Sequence, residues 1–334
     1  MSRLVLLTCV VGLSVALGAQ EVGPERAHVA RAGVEEAPKA AYPIDFFPLQ
    51  IEGQDLRMAY RHVQPTTAAN GRTVLLLHGK NFSGFYWERV IGVLASRGFR
   101  VVAPDQIGFG ASSRPNIHYS LHQMAANTRA LLDYLGVRRG VVVGHSMGGM
   151  LATRFTLLYP GMVEKLVLED PIGLEDYRTF VPYASVEELY KNELNATYES
   201  FLSYQKGYYT SWKPEYEAYV RDQAWVLGTG EYPRAALASA LTSEMVYEQP
   251  VCYEFSRIAA PTLLVIGHED RTVPGKARLS PEMKAVAGDY PKLAEKTHAM
   301  IRGSKVVEVP GAGHIPHIER PEAFDQALLG FLAE

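Results

Sequence analysis

Cysteine is nearly missing from this chain. Of 334 residues only Cys9 and Cys252 carry a thiol. Cys9 falls inside an apolar N-terminal stretch, so loss of that stretch leaves one thiol and no internal disulfide. Charge of one sign is missing too: 33 Lys and Arg stand against 36 Asp and Glu, for a formal net charge of −3. That balance offers no electrostatic handle for nucleic acid or an anionic membrane surface. The chain shows no repeat, heptad, low-complexity tract, G-x-G-x-x-G fingerprint or P-loop, so nothing points to a solenoid, a coiled coil or a common nucleotide-binding fold. With 47% hydrophobic and 21% charged residues, what is left is the composition of a soluble globular protein.

The first 19 residues differ in kind. Arg3 gives a basic start, residues 4–17 are almost wholly apolar, and Ala16-Leu17-Gly18-Ala19 ends in small side chains. This pattern reads as a secretory signal peptide cut near Gly18 or Ala19. It is too short for a comfortable membrane span, with an uncleaved anchor as the alternative, and Thr8 before Cys9 makes a poor lipoprotein box. Residues 20–41, rich in Ala, Glu and Pro, read as a flexible leader. An exported chain with one thiol fits a bacterial periplasm or a secreted protein, with no stable membrane span once the signal is cut.

Strand-like runs then alternate with helical ones. Strands are expected at residues 56–63, 73–78, 99–103, 139–144, 165–168, 261–266 and 305–309, and helices at 85–97, 121–135, 150–159 and 321–332. Alternation of this kind predicts an α/β fold, a mostly parallel twisted sheet with helices on both faces. It breaks between residues 172 and 250, which hold eleven tyrosines with Trp212 and Trp225 but no strand-like run. We read residues 42–171 and 251–334 as the core and 172–250 as an inserted helical cap.

The chemistry centres on Gly144-His145-Ser146-Met147-Gly148, directly after Val141-Val142-Val143. A serine that attacks a substrate must project from a strained turn with small neighbours, and Met147 can offer its N–H to a developing oxyanion. Such a nucleophile needs a base, an orienting carboxylate and a second oxyanion donor. In open α/β sheets these should follow other strands. His314 follows residues 305–309 behind Gly311-Ala312-Gly313, with His317 as competitor. Asp270 follows residues 261–266, with Glu269 as the close alternative and Asp170 as a third candidate whose simpler role is to cap entry into the cap. After residues 73–77 comes His78-Gly79-Lys80-Asn81, where the N–H of Lys80 can join that of Met147. The Lys80 and Asn81 side chains suit either a polar or anionic substrate group or a local salt bridge and cap. Asn81 and His145 are the candidate substrate contacts.

Together these residues resemble the α/β-hydrolase superfamily over Phe47 to the C-terminus. The order Ser146…Asp270…His314 is that fold's order. His78-Gly79 looks like its oxyanion loop, Pro104-Asp105-Gln106-Ile107-Gly108-Phe109-Gly110-Ala111-Ser112-Ser113 like its D-x-x-G-x-G-x-S loop, and Gly267-x-x-Asp270 like its acid turn. The resemblance is to the capped branch of esterases, C–C bond hydrolases, epoxide hydrolases and haloalkane dehalogenases. The last two use aspartate where Ser146 stands. It implies a serine hydrolase of carboxylic esters acting on a small molecule with no cofactor and no metal. C–C or amide cleavage are alternatives on the same fold, and a non-catalytic binding protein is the alternative of another class. Glu187-Glu188 is the nearest thing to an acidic site for a substrate amine, and reads more simply as a solvated helix face. Residues 276–303 are longer than the family's usual link, and the sequence gives them no role.

Overall fold

The computed structural model describes residues 37–334, so the expected signal peptide and most of the leader lie outside the described residues. Eight strands form one sheet: β1 (Asp45–Ile51), β2 (Gln54–Val63), β3 (Thr73–Leu77), β4 (Arg100–Pro104), β5 (Gly140–His145), β6 (Val163–Glu169), β7 (Thr262–Gly267) and β8 (Lys305–Val309). Their spatial order is β1-β2-β4-β3-β5-β6-β7-β8. The β1–β2 and β2–β4 pairs are antiparallel and the rest parallel. β3, β5 and β7 are buried at every residue, the signature of strands covered by helices on both faces.

Sequence reading missed β1. It is an edge strand carrying Pro48, tolerated there because an edge leaves one side of the backbone unpaired. Glu52 and Gly53 both take positive φ in the two-residue turn that joins it to β2, the hairpin geometry that matches strand twist.

The helices are α1 (Glu88–Ser96), α2 (Leu121–Tyr134), α3 (Met147–Leu158), α4 (Val186–Leu194), α5 (Tyr198–Lys206), α6 (Glu217–Ala224), α7 (Tyr232–Glu248), α8 (Pro281–Val286), α9 (Tyr290–Met300), α10 (Pro316–Glu319) and α11 (Pro321–Ala333). Ser120 caps α2 by accepting from the N–H of Gln123, and Ser185 opens α4 with a capping box through Glu188. The chain between β6 and β7 holds α4–α7 and no strand. Its aromatic residues divide by role. Tyr209 and Tyr216 stack at 4.3 Å, with Trp212 packed against both, while Tyr183, Tyr204, Tyr208 and Tyr247 face a cavity. Among the described residues no helix is long and apolar enough to cross a membrane.

Candidate active site

Four loops at the carboxyl ends of β3, β5, β7 and β8 converge. Ser146 occupies the turn from β5 to α3 at φ 56° and ψ −121°, a conformation non-glycine residues rarely hold. The packing around it enforces the turn: a Cβ on Gly148 would sit 2.1 Å from the carbonyl oxygen of Leu77. The acid and histidine loops touch as closely. A Cβ on Gly267 would lie 1.8 Å from the carbonyl oxygen of Gly313.

A continuous hydrogen-bond chain results. Ser146 Oγ lies 2.9 Å from His314 Nε2, and His314 Nδ1 lies 2.7 Å from Asp270 Oδ2. All three are secluded, with exposures of 7% for Ser146, 1% for His314 and 2% for Asp270. The other carboxylate oxygen of Asp270 accepts from the N–H of Thr272 at 2.8 Å. Because Asp270 accepts from Nδ1–H, Nε2 is left as acceptor for the serine hydroxyl. The main chain of the cap joins in: the Tyr208 carbonyl accepts from the N–H of His314 at 2.7 Å, and the Tyr208 ring lies 5.0 Å from the imidazole.

The Gly79 backbone passes close to Ser146, since a Cβ there would lie 3.1 Å from Ser146 Cβ. Met147 is the first residue of α3, where helical N–H groups lack an intrahelical partner. Among the described residues neither the Met147 nor the Lys80 N–H has an acceptor. These two donors are free to meet an anion.

Lys80, Asn81 and Ser146 together line a cavity of about 320 Å³. Asn81 Nδ2 donates to the Tyr208 hydroxyl at 2.8 Å. Lys80 Nζ donates to Ser239 Oγ at 2.7 Å and lies 3.9 Å from Glu193 Oε1. Burial pulls the Lys80 ammonium below its ordinary range, with Glu193 opposing. Lys80 thus faces the cavity and also has a local partner.

His145 needs correction. Expected as a substrate contact, it is fully buried beside Ser146 and, among the described residues, lines neither the cavity at Ser146 nor the groove at His314. Its Nε2 donates to the His314 carbonyl at 2.7 Å, and its Nδ1 accepts from the Tyr86 hydroxyl at 3.0 Å. The Tyr86 oxygen in turn accepts from the N–H of Gly79 at 2.9 Å. Burial, reinforced by His314, holds the imidazole well below its usual value, so it is a neutral brace between the Gly79 and His314 loops. His317 is likewise away from the serine. Its Nδ1 lies 2.9 Å from the Glu169 carboxyl, and its ring stacks on Trp87 at 4.2 Å. Burial lifts Glu169 to about 7. Glu269 is exposed, and its carboxyl makes no hydrogen bond to His314 among the described residues.

Asp170 does more than the local capping expected of it. Both of its carboxyl oxygens accept from the N–H of Gly267 at 3.0 Å, and Asp270 is its neighbour. Burial first, and Asp270 second, push it well above the carboxylate range. A protonated Asp170 is placed to donate to its neighbour Asp270. Neither this role nor that of Tyr86 had a signal in the sequence beyond placement after a strand and in an aromatic run.

Among the described residues no group of three or more His, Cys, Asp or Glu is placed to hold a metal ion. The arrangement can deprotonate a hydroxyl against a carbon centre and stabilise the negative oxygen that forms.

Residues 74–327 match the sequence profile of the "Alpha/beta hydrolase family". The chain belongs to the alpha/beta hydrolase family. The chain is similar to a probable hydrolytic enzyme from Pseudomonas aeruginosa PAO1, at 48% identity, a TM-score of 0.86, and coverage of 88% of this chain and 95% of that one. It is 28% identical over 283 residues to the 2-hydroxy-6-oxo-6-(2'-aminophenyl)hexa-2,4-dienoic acid hydrolase of Metapseudomonas resinovorans, covering 80% of this chain and 86% of the relative. An uncharacterized protein of Mycobacterium tuberculosis is 40% identical over 107 residues, 32% of this chain. That match spans only 31% of the mycobacterial protein's length.

Proposed function

We propose that this hydrolase cleaves carboxylic esters through a covalent acyl-serine. Ser146 Oγ attacks the acyl carbonyl carbon while His314 Nε2 takes its proton, and Asp270 stabilises the imidazolium. The carbonyl oxygen becomes an oxyanion between the N–H groups of Lys80 and Met147. As the ester C–O bond breaks, His314 returns the proton to the departing alcohol oxygen. Water then attacks the acyl-enzyme with His314 again as base, releasing the acid and restoring Ser146. The observation that carries this reading is the hydrogen-bond chain from Ser146 through His314 to Asp270, opening on a cavity of about 320 Å³. That is room enough for a small-molecule substrate. An exported setting fits the basic, apolar and small-residue pattern of the first 19 residues.

The test is hydrolysis of p-nitrophenyl esters of graded acyl length by the mature protein. Ser146→Ala should lower kcat by on the order of 10⁴-fold or more and abolish labelling by a fluorophosphonate. Undiminished hydrolysis in that variant would refute the assignment, and an intact protein that never labels would favour a binding role. The likeness to the dienoic acid hydrolase supports a second reading, C–C cleavage by the same residues. It predicts loss of the dienoate chromophore faster than release of nitrophenol.

A further inference from the structure

Residues 276–303, left without a role by the sequence, begin on a concentration of positive charge beside the histidine. Arg271, Lys276 and Arg278 line a surface groove of about 950 Å³ that also reaches Asp270 and His314. Arg278 lines the cavity holding Ser146 as well, so groove and cavity meet. Among the described residues none of the three cations forms an ion pair. Each is held instead by backbone carbonyls. Arg271 Nη1 donates to those of His268 and Asp270, Lys276 Nζ to that of Arg271 at 2.7 Å, and Arg278 Nε to that of Pro182 at 3.0 Å. Such contacts orient the charged heads without neutralising them.

The carboxylates nearby offset this charge only in part: Glu269 and Asp270 line the groove with the three cations, and Asp270 acts on Lys276. Glu269 lines the same groove, exposed and in no ion pair. Asp270 is buried and committed to His314 and Thr272. Asp289 feels Arg271 but is bonded to Lys292 at 2.6 Å. Three cations against two carboxylates leave the rim positive on balance, and a positive rim raises the local concentration of anions.

The geometry also assigns the half of the substrate concerned. His314 Nε2 hands its proton to the departing alcohol, so that half lies on the imidazole side. His314 lines the groove, whereas Lys80, Asn81 and Ser146 line the cavity and not the groove. We propose that Arg271, Lys276 and Arg278 recognise a phosphate or carboxylate on the alcohol half of the ester, so that the preferred substrates are acyl esters of anionic alcohols. This rests on the ester-hydrolase reading above.

Two substrate pairs test it and separate a soluble anion from a lipid headgroup. The soluble pair is 3-butanoyloxy-4-nitrobenzoate and its neutral counterpart, 2-nitrophenyl butanoate. The lipid pair is 1-oleoyl-glycerophosphoglycerol and 1-oleoylglycerol in the same neutral detergent micelles. The expected ratio of kcat/KM, anionic over neutral, is about tenfold, within reach of three exposed charge pairs acting together. A gain in both pairs assigns a soluble anion, and a gain confined to the micellar pair assigns a headgroup. The ratio should fall toward one in the triple variant Arg271→Gln, Lys276→Gln, Arg278→Gln, and hold in Lys284→Gln, an exposed lysine outside the groove. On the wild-type protein it should also shrink as ionic strength rises from about 0.05 to about 0.5 M. Ratios near one in both pairs, with Ser146-dependent hydrolysis intact, overturn the proposal alone. If no ester is hydrolysed and Ser146 is never labelled, the ester reading fails instead.

Discussion

Two substitutions of Asp170 separate a neutral donor from a buried charge. The carboxyl sits between the N–H of Gly267, 3.0 Å away, and the carboxylate of Asp270. Burial, Asp270 and Glu169 all push it well above its ordinary range. The folded protein therefore keeps a proton that the unfolded chain releases above about pH 4. Stability carried by such a group is full below that pH and is lost as pH rises toward the folded value, at about 1.4 kcal/mol per unit between the two. Asp170→Asn keeps both hydrogen bonds, its oxygen accepting from Gly267 and its amide donating to Asp270, and it has no proton to lose. It should be more stable than wild type at pH 8, with the gain vanishing near pH 4.

Asp170→Ala removes the donor to a buried charge. Hydrogen bonds to charged groups contribute about 1.5–3 kcal/mol, so kcat/KM should fall roughly tenfold to a hundredfold as Asp270 is less well held. Asp170→Asn should stay within about threefold of wild type, because a hydrogen bond of the same sense remains. The assays are urea unfolding from pH 4 to 8 and p-nitrophenyl ester kinetics at pH 8. Should Asp170→Asn be as damaging as Asp170→Ala, or gain stability only as the pH falls, Asp170 is ionised in the native protein and the reasoning fails.

Tyr86→Phe strips the acceptor from the Gly79 N–H and the donor from His145 Nδ1. Each buried orphan costs about 1–3 kcal/mol, so thermal melting should fall by several degrees and kcat should drop more than KM rises. Gly148→Ala drives a Cβ to 2.1 Å from the Leu77 carbonyl oxygen, and chemical denaturation should show a loss of about 3 kcal/mol or more. Asp222 accepts from the Ser83 hydroxyl at 2.7 Å, and burial lifts its pKa to about 7. Its stabilising contribution is full below about pH 4 and is lost by pH 7, so Asp222→Asn should raise the melting temperature at pH 8 and leave it unchanged at pH 4.

What the sequence made legible follows one physical rule. Where backbone must approach backbone the residue type is forced, so Gly144, Gly148 and Gly267 mark their loops in the sequence itself. Continuous apolar runs marked β3, β5 and β7 because both faces of each are buried. The strand β1 was hidden because an edge strand with Pro48 and half-exposed side chains satisfies no such constraint. His145 was misread for a related reason. Its neighbour Ser146 fixes the turn, but which way an adjacent side chain points depends on Tyr86 and on the His314 carbonyl, 59 and 169 residues distant. Asp170 was undervalued likewise, since its partners Gly267 and Asp270 lie across the sheet.

These long-range partners carry a consequence for the cap. The Tyr208 carbonyl fixes the His314 N–H, and the Tyr208 hydroxyl holds Asn81 beside Lys80. One cap residue thus touches both the base and the loop with the free N–H groups. Ser83 to Asp222 and Lys80 to Ser239 add two further bonds from the same loop to α6 and α7. Displacement of the cap would therefore loosen the oxyanion loop and the histidine at once, rather than simply uncover the serine. Under the ester-hydrolase reading proposed above, substitutions at Tyr208 should therefore move kcat and KM together.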